Sequence, residues 1–331
     1  MIPAFDAFCG LGGWSTAAVR SGRVHVAHAI NHAPHAIEAH AAAHPTTEHH
    51  LQDIAEFDFG SVGDAVRGGI LFASPSCKGD SSAGRPARKG AGGNAPPNIA
   101  AMMRAHKGQR SLALHVIAAA EALQPAVVLV ENVAGMREGV LYPLWLDMLR
   151  ALGYTVREHL LNAKDYGAAT DRERLIVTAA RGGPIDLAPS WEGAQGPRTV
   201  GGCLDPDSHT GNRWHSVASK PDRMQRLIRS RQERAGFRRG ILNNVGDGVR
   251  LRPLADLSPT LTTKSGSQLM LVDGDRVRIL NPLELARMMG WQDSEVALPH
   301  NRGVASVLIG NAVPVPLAAG VLAQTLASGA A

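Results

Sequence analysis

Short apolar runs alternate with amphipathic stretches through the first 180 residues of the chain. The run Ala126–Val130 (AVVLV) is apolar at every position, which is typical of a central strand buried on both faces. Strands are predicted at Met1–Phe8, Val24–Ile30, Ile70–Phe72, Ala126–Val130, Thr155–Asn162 and Leu175–Ala180, and helices at Trp14–Arg20, Pro34–His44, Ser111–Leu123 and Leu141–Leu152. This alternation predicts an α/β fold with a doubly wound, mostly parallel sheet.

The pattern changes after Arg181, where Gly and Asn become frequent and helical periodicity is poor. Arg and Lys number thirteen from Arg181 to Ala255, against seven Asp and Glu. The one helix-like piece, Asp222–Arg234, is strongly basic. Helical form returns at Arg278–Trp291, which starts at Asn281-Pro282 and stops at Gly290, and an Ala-rich helix ends the chain. We therefore predict a catalytic, cofactor-binding domain at 1–185 plus 258–331, interrupted by a small, irregular, mostly β DNA-binding domain at 186–257.

Composition narrows the class of protein. The 331 residues include three scattered cysteines, too few for a disulfide scaffold or a zinc site, which favours a reducing, cytoplasmic location. The start of the chain leaves no room for a signal peptide, and the best apolar run, Val313–Leu326, is short and carries two prolines. A net charge of +5 and a pI near 9.4 permit a polyanionic partner. Aromatics make up only 4%, so a base-stacking platform is not expected.

The stretch Ala73–Ser81 (ASPSCKGDS) carries the first candidate chemistry. Cys77 follows the apolar run Ile70–Phe72 and opens a Gly-, Pro-, Lys- and Arg-rich segment that extends to about Gln109. A cysteine at a strand end before a basic loop suits a nucleophile that closes over a substrate, with the loop clamping a phosphate backbone. The alternatives are a buried structural cysteine and a solubilising loop.

Candidate binding groups follow the predicted strands. The glycine turn Cys9–Gly13 suits a nucleotide-like cofactor, and the rival interpretation is an NAD or FAD fold. Asn31 stands where a ribose partner is expected, and Asp53 could accept from an exocyclic amine. Glu131 ends the central strand, where partial burial suits it to hold or donate a proton; its alternatives are an N-cap or a paired structural acid. Arg172 and Arg174 point to one side of the next strand start and could hold a base, a phosphate or nearby acids.

Eight of the fourteen histidines lie between His25 and His50. His28, His32 and His35, or His40 and His44, have helical spacing that could bind a metal ion. No cysteine is near them, and a solvated helix face explains the spacing better. No metal site is expected.

Six segments in order resemble the motifs of the cytosine-5 DNA methyltransferases, and the match spans nearly the whole chain. They are DAFCGLGG (6–13), PSC (75–77), ENV (131–133), DYGAATDRER (165–174), LSPTLTT (257–263) and GNAVPVP (310–316). The resemblance implies a Rossmann-like methyltransferase sheet that binds S-adenosylmethionine, releases S-adenosylhomocysteine and acts on cytosine flipped out of double-stranded DNA. The enzyme is expected to be a bacterial or phage-encoded monomer of the restriction-modification type that acts at the nucleoid, without a membrane partner.

The resemblance also assigns roles to residues. The Cys77 thiolate adds to C6 of the ring, Glu131 holds N3 and the exocyclic amine, and Arg172 and Arg174 contact the flipped base. Expected cofactor contacts are Phe8, Gly10, Gly12, Gly13, Asn31, His32, Asp53, Ile54, Ser76, Asn311 and Val313. Expected DNA contacts are Lys78, Ser81, Arg85, Arg88, Lys89, Asn132 and Thr263.

Four departures from the family pattern predict altered details. Asn31 replaces a Glu, which weakens or alters ribose binding, and Ser76 replaces the proline before the nucleophile. Lys78 and Asp80 replace Gln and Phe in the loop, and Ala169 and Thr170 replace Pro and Gln ahead of the arginines. The catalytic side chains are present, so we predict an active, divergent enzyme. The alternatives are a tRNA cytosine-5 methyltransferase, a non-catalytic DNA-binding protein with the same fold, and an NAD-type oxidoreductase.

Overall fold

A computed structural model describes residues 1–75, 112–189, 199–207, 213–243 and 251–331. Two structural units divide the chain. The first contains residues 1–161, 173–189 and 319–331, and the second contains 162–172 and 190–318. Residues 162–172 and 258–318 group with the second unit in this division, and the predicted domain boundaries stay a prediction.

The first unit is built on a seven-stranded sheet in the order β3-β2-β1-β4-β5-β7-β6. Its strands are β1 (Ile2–Ala7), β2 (Val24–Asn31), β3 (Glu48–Leu51), β4 (Ile70–Ala73), β5 (Val127–Asn132), β6 (Thr155–Asn162) and β7 (Glu173–Ala180). The first five strands of this row, β3, β2, β1, β4 and β5, each pair in parallel with their neighbours, whereas β7 runs antiparallel to β5. The strand order reverses between β1 and β4, which makes their carboxyl ends the switch point where ligands bind in such sheets.

Helices cover this sheet by burying one face each. They are α1 (Gly13–Ser21), α2 (Pro34–Ala43), the short α3 (Gly63–Val66), α4 (Leu112–Leu123) and α5 (Tyr142–Ala151). In α4 the buried positions Val116, Ala119, Ala120 and Leu123 recur at the three- and four-residue spacing of a helix face. Every residue of β5 is buried, as the apolar run predicts.

The second unit contains a five-stranded antiparallel sheet in the order β10-β9-β11-β12-β8. Its strands are β8 (His215–Ser216), β9 (Arg239–Asn243), β10 (Leu251–Arg252), β11 (Leu269–Asp273) and β12 (Arg276–Ile279). The helices that follow β7 are α6 (Asp222–Ala235), α7 (Ser265–Gln268), α8 (Pro282–Met288), α9 (Arg302–Asn311) and α10 (Val315–Ala327), the last of which extends into the first unit. Ile228 of α6 joins Leu242, Val272 and Val277 in the core of this sheet.

The predicted fold class is confirmed: the chain has a doubly wound α/β sheet and a small antiparallel second sheet. The helix predicted within Arg278–Trp291 is confirmed at its predicted start and stop: Asn281 is its N-cap, Pro282 is its first residue, and Gly290 follows its C-cap. Arg278 precedes it, in β12. Arg278 pairs with Leu271 of β11, so hairpin pairing overrides the helical pattern there. Among the described residues, Arg302–Ala327 is apolar and long enough to cross a membrane, but it comprises two helices, and 56% of its apolar 18-residue window is buried in the protein.

Candidate active site

The turn that follows β1 is held in an unusual backbone conformation. Phe8, Gly10 and Gly12 all have positive φ, at 62°, 54° and 83°. Phe8 is the notable member, because residues with a Cβ rarely adopt this region and such strain concentrates at binding sites. The backbone N–H of Cys9 donates to the carbonyl of Ile30 at 3.1 Å, which ties the turn to β2.

Buried polar side chains support the turn from below. Ser15 Oγ donates to Asp6 Oδ2 at 2.6 Å, and His40 Nε2 lies 3.0 Å from the same hydroxyl. A Cβ on Gly12 would lie only 2.7 Å from His44 Nε2, so the histidines of α2 require a glycine at this position. The sequence prediction treated these histidines as a solvated face. His40 and His44 are in fact buried. The available signal in the sequence was a pair of histidines four residues apart at the second helix after the glycine turn.

The ends of β2 and β3 place the other predicted cofactor residues of the first unit. Asn31 Oδ1 accepts from the backbone N–H of Ala33 at 3.0 Å, and Asp53 Oδ1 accepts from that of Ala55 at the same distance. Ile54 is buried in a core cluster against which Phe8 packs. His32 is exposed. The Asn31 and Asp53 side chains thus each stabilise the turn in which they lie.

Two hydrogen bonds fix the chain where β4 ends. Trp14 Nε1 donates to Ser74 Oγ at 3.2 Å, and Asn132 Nδ2 donates to the carbonyl of Pro75 at 3.1 Å. Asn132 Oδ1 also accepts from the backbone N–H of Val133 at 2.8 Å. The side chain of Asn132, predicted to contact DNA, is buried and anchors the segment that leads to Ser76 and Cys77.

Glu131 and Arg174 form a buried ion pair on the neighbouring strands β5 and β7. Arg174 Nε lies 2.8 Å from Glu131 Oε1. The two residues are 5% and 8% exposed, so water screens the pair little. Arg174 Nη1 also donates to the carbonyl of Glu173 at 2.6 Å. The predicted pairing of these arginines with nearby acids holds for Arg174, and its base contact stays a prediction.

Arg172 is a buried backbone clamp within the second unit. Its Nη1 donates to the carbonyl of Leu261 at 2.7 Å, and its Nη2 donates to those of Gly310 and Ala312, each at 3.0 Å. A Cβ on Gly310 would lie 2.3 Å from the backbone of Thr262, so the late motifs at 257–263 and 310–316 pack directly on each other. Sequence reasoning missed this clamp, and the predicted base contact of Arg172 stays a prediction.

The remaining predicted site residues divide into two groups. Asn311 is exposed, Val313 is buried and Thr263 is half-buried in the second unit, and their ligand contacts stay predictions. Ser76, Cys77, Lys78, Ser81, Arg85, Arg88 and Lys89 lie outside the described residues.

A doubly wound sheet with a strained turn at its switch point defines an α/β protein of the Rossmann-like class. In agreement, a solved DNMT2 variant of Spodoptera frugiperda matches 98% of this chain and 100% of its own with a TM-score of 0.69, at 16% identity.

Sequence comparison gives the family. The C-5 cytosine-specific DNA methylase family matches residues 2–327. The type II methyltransferase M.NgoPII of Neisseria gonorrhoeae is 26% identical over 306 residues, which cover 84% of this chain and 82% of that protein. M.HhaI of Haemophilus parahaemolyticus is 30% identical over 190 residues, 52% of this chain and 54% of its own. The chain belongs to the C-5 cytosine-specific DNA methylase family, and its activity is that of a DNA (cytosine-5)-methyltransferase.

Proposed function

We propose that this enzyme methylates C5 of a cytosine flipped out of double-stranded DNA, with Cys77 as nucleophile, Glu131 as the group that holds the ring and S-adenosylmethionine as methyl donor. The observation that carries the proposal is the buried Glu131–Arg174 pair at the end of β5, where the next residue, Asn132, anchors the carbonyl of Pro75. Cys77 follows Pro75 by two residues, and two residues of chain span at most about 7 Å. The anchor at Asn132 therefore supports the proposal, because it ties the chain two residues before Cys77 to the strand that carries Glu131.

The other two thiols are poor nucleophiles. Burial, and secondly the nearby Asp6 carboxylate, raise the pKa of the Cys9 thiol well above its ordinary value. Burial raises the pKa of the Cys203 thiol to about 12. Both are thus protonated at neutral pH, and thiolate chemistry falls to Cys77.

The proposed reaction balances in four steps. The Cys77 thiolate forms a bond to C6, and the electrons of the C5–C6 double bond shift towards N3, which takes a proton from the Glu131 carboxyl group; Glu131 acquires this proton when the cytosine binds. C5 then takes the methyl group, and the donor leaves as S-adenosylhomocysteine. A base removes the C5 proton, the C5–C6 double bond re-forms as the S–C6 bond breaks and releases the Cys77 thiolate, and N3 returns its proton to the Glu131 carboxylate. Arg174 orients the Glu131 carboxyl group through all four steps.

The turn after β1 fits the cofactor that the family uses. S-adenosylmethionine supplies an electrophilic methyl group on a positively charged sulfur. Gly10 has no neighbour beyond the Phe8 carbonyl within 4 Å of an added Cβ, which leaves room above the turn. Phe8, Gly10 and Gly12 would line the cofactor, with Asp53 and Ile54 along its base edge. The Trp14–Ser74 bond joins this turn to the end of β4, which carries the nucleophile.

The test is covalent trapping on duplex DNA that contains 5-fluorocytosine. The fluorine at C5 cannot leave as a cation in place of the proton, so the enzyme stays bonded to C6. We expect the wild type with S-adenosylmethionine to form a complex that survives denaturing electrophoresis. Cys77→Ala should form none, whereas the matched change Cys203→Ala should leave the complex intact. An adduct that persists in Cys77→Ala, or none in the wild type, contradicts the proposal. An RNA hairpin with the same base, tested alongside, measures preference for DNA over tRNA-like substrates.

A further inference from the structure

Three side chains with metal-binding atoms meet on one face of the sheet edge. His28 lies on β2 opposite Glu48 of β3, and His50 follows Glu48 by two residues and so points to the same face. His28 Nδ1 lies 3.2 Å from His50 Nε2 and 3.5 Å from Glu48 Oε2, and His50 Nε2 lies 3.9 Å from Glu48 Oε1. None of the three has a role in the proposed methyl transfer.

We propose that His28, Glu48 and His50 form a Zn²⁺ site. Ligand atoms about 2.0 Å from a tetrahedral zinc ion stand about 3.3 Å apart. The His28–His50 separation lies close to this value, and with one carboxylate oxygen as the third ligand all three atoms lie within 4.8 Å of one another. Two imidazoles and one carboxylate are a zinc ligand set that leaves a fourth position for water. Glu48 is 66% exposed on its side chain, so it can turn towards the ion, which approaches from solvent.

The neighbouring histidines His40 and His49 do not have the geometry of a metal site. Strand alternation turns His49 to the opposite face, where its Nε2 lies 2.8 Å from His40 Nδ1. His40 directs its other nitrogen, Nε2, to Ser15. His40 therefore faces its two partners with two different atoms, and they share no common point. Within the described ranges, His28–Glu48–His50 is the one group of three that meets the spacing of a metal site.

The two imidazoles are already oriented by their surroundings. The His28 ring packs near Phe5, with centroids 6.3 Å apart, and the His50 ring packs on Phe57 at 4.9 Å. Without metal, the 3.2 Å contact of the two rings is an ordinary hydrogen bond between imidazoles, so the metal-free protein keeps its fold. Because β3 is the edge strand, the ion would tie this strand to β2.

The experiment titrates chelator-treated, full-length protein with ZnCl₂ by calorimetry, without DNA or S-adenosylmethionine, so its result is independent of methyl transfer. We expect one tightly bound ion per chain and a melting temperature that rises with zinc. Glu48→Gln removes one ligand from an exposed position and should weaken binding at least tenfold, on the order of the loss seen for outer-shell changes. His50→Asn should do the same.

Glu38→Gln is the matched control. Glu38 Oε2 lies 3.2 Å from His35 Nδ1 in an exposed pair on α2 that is not part of a three-residue group with ligand spacing, so this variant should bind zinc as the wild type does. Substitution of CoCl₂ should give the visible absorption of a tetrahedral site without a thiolate band. Absence of stoichiometric binding, equal affinity in Glu48→Gln, or equal weakening in Glu38→Gln would each overturn the proposal.

Discussion

Arg174 offsets the cost of burying the carboxylate of Glu131 at the end of β5. A buried ion pair contributes little net stability, but removal of one partner leaves an uncompensated charge in a medium of low polarity. The pair therefore acts mainly by orienting the Glu131 carboxyl group. It holds this group at the carboxyl end of β5, the strand next to β4, after which the chain continues to Cys77.

Arg174→Met should lower the free energy of unfolding by about 3–5 kcal/mol, because Glu131 loses its buried partner. Arg157→Met is the control, since Arg157 Nε contacts Asp186 at 3.4 Å in an exposed pair, where about 0–1 kcal/mol is expected. Urea unfolding of both variants gives the comparison. Equal losses of unfolding free energy in the two variants would contradict the expected effect of burial on the Glu131–Arg174 pair.

Gly12→Ala should disturb the turn that carries Phe8 and Gly10. Gly12 and Gly22 both have positive φ, so alanine strains the backbone by about 1–2 kcal/mol at either position. Only at Gly12 does the added Cβ meet a side chain, His44, whereas Gly22 has nothing within 4 Å. Affinity for S-adenosylmethionine, measured by calorimetry, should fall about tenfold or more in Gly12→Ala and stay unchanged in Gly22→Ala. Equal affinities would contradict a cofactor role for this turn.

At this scale the sequence named Glu131, the glycine turn and both arginines, because residue type and order in the chain are enough to find them. It did not separate the two arginines. Arg174 faces a carboxylate on another strand, whereas Arg172 faces three carbonyls that lie 89 to 140 residues away in the chain.

At the scale of elements, helix α8 is fixed at its start by several contacts. Asn281 Oδ1 accepts from the backbone N–H of Glu284, and Glu284 Oε2 accepts in return from that of Asn281, a complete capping box. Glu284 also receives two hydrogen bonds from Arg278, at 2.6 and 2.8 Å, in a buried pair. The cap thus joins the end of β12 to the helix that follows it.

Asn281→Ala should lower the free energy of unfolding by about 2 kcal/mol, the upper end for loss of an N-cap, because the buried network depends on it. Asn301→Ala is the matched change at α9, where the side chain accepts from Gly303 and Val304 on an exposed surface. About 0.5–1 kcal/mol is expected there. Thermal unfolding monitored by circular dichroism distinguishes the two, and an equal or reversed order would contradict this account.

Most elements of the first unit follow from the sequence, since apolar runs and glycine or proline stops are local signals. The prediction omitted the edge strand β3, whose sequence EHHL is polar and has no apolar pattern. It forms because β2 offers a free edge in parallel register. Arg278 shows the same effect in the hairpin of β11 and β12.

At the scale of the whole molecule, the excess of positive charge should govern DNA affinity. Arg226 and Arg229 are exposed on α6 in the basic second unit. If they contact phosphates, Arg226→Gln with Arg229→Gln should weaken duplex binding for all sequences and reduce the slope of log K against log salt by about 2, one for each contact. Arg20→Gln with Arg23→Gln removes equal charge from exposed positions of the first unit and should leave the slope unchanged. Equal slopes for both pairs would place DNA binding elsewhere.

The sequence by itself determined the α/β class, the order of the family motifs and the identity of the candidate catalytic groups, because these depend on periodicity and residue type along the chain. The tertiary structure alone decided which carboxylate meets which guanidinium, that His40 and His44 support the glycine turn, and that His28, Glu48 and His50 converge. These facts depend on strand register and face, which bring distant residues together, and no local pattern encodes that pairing.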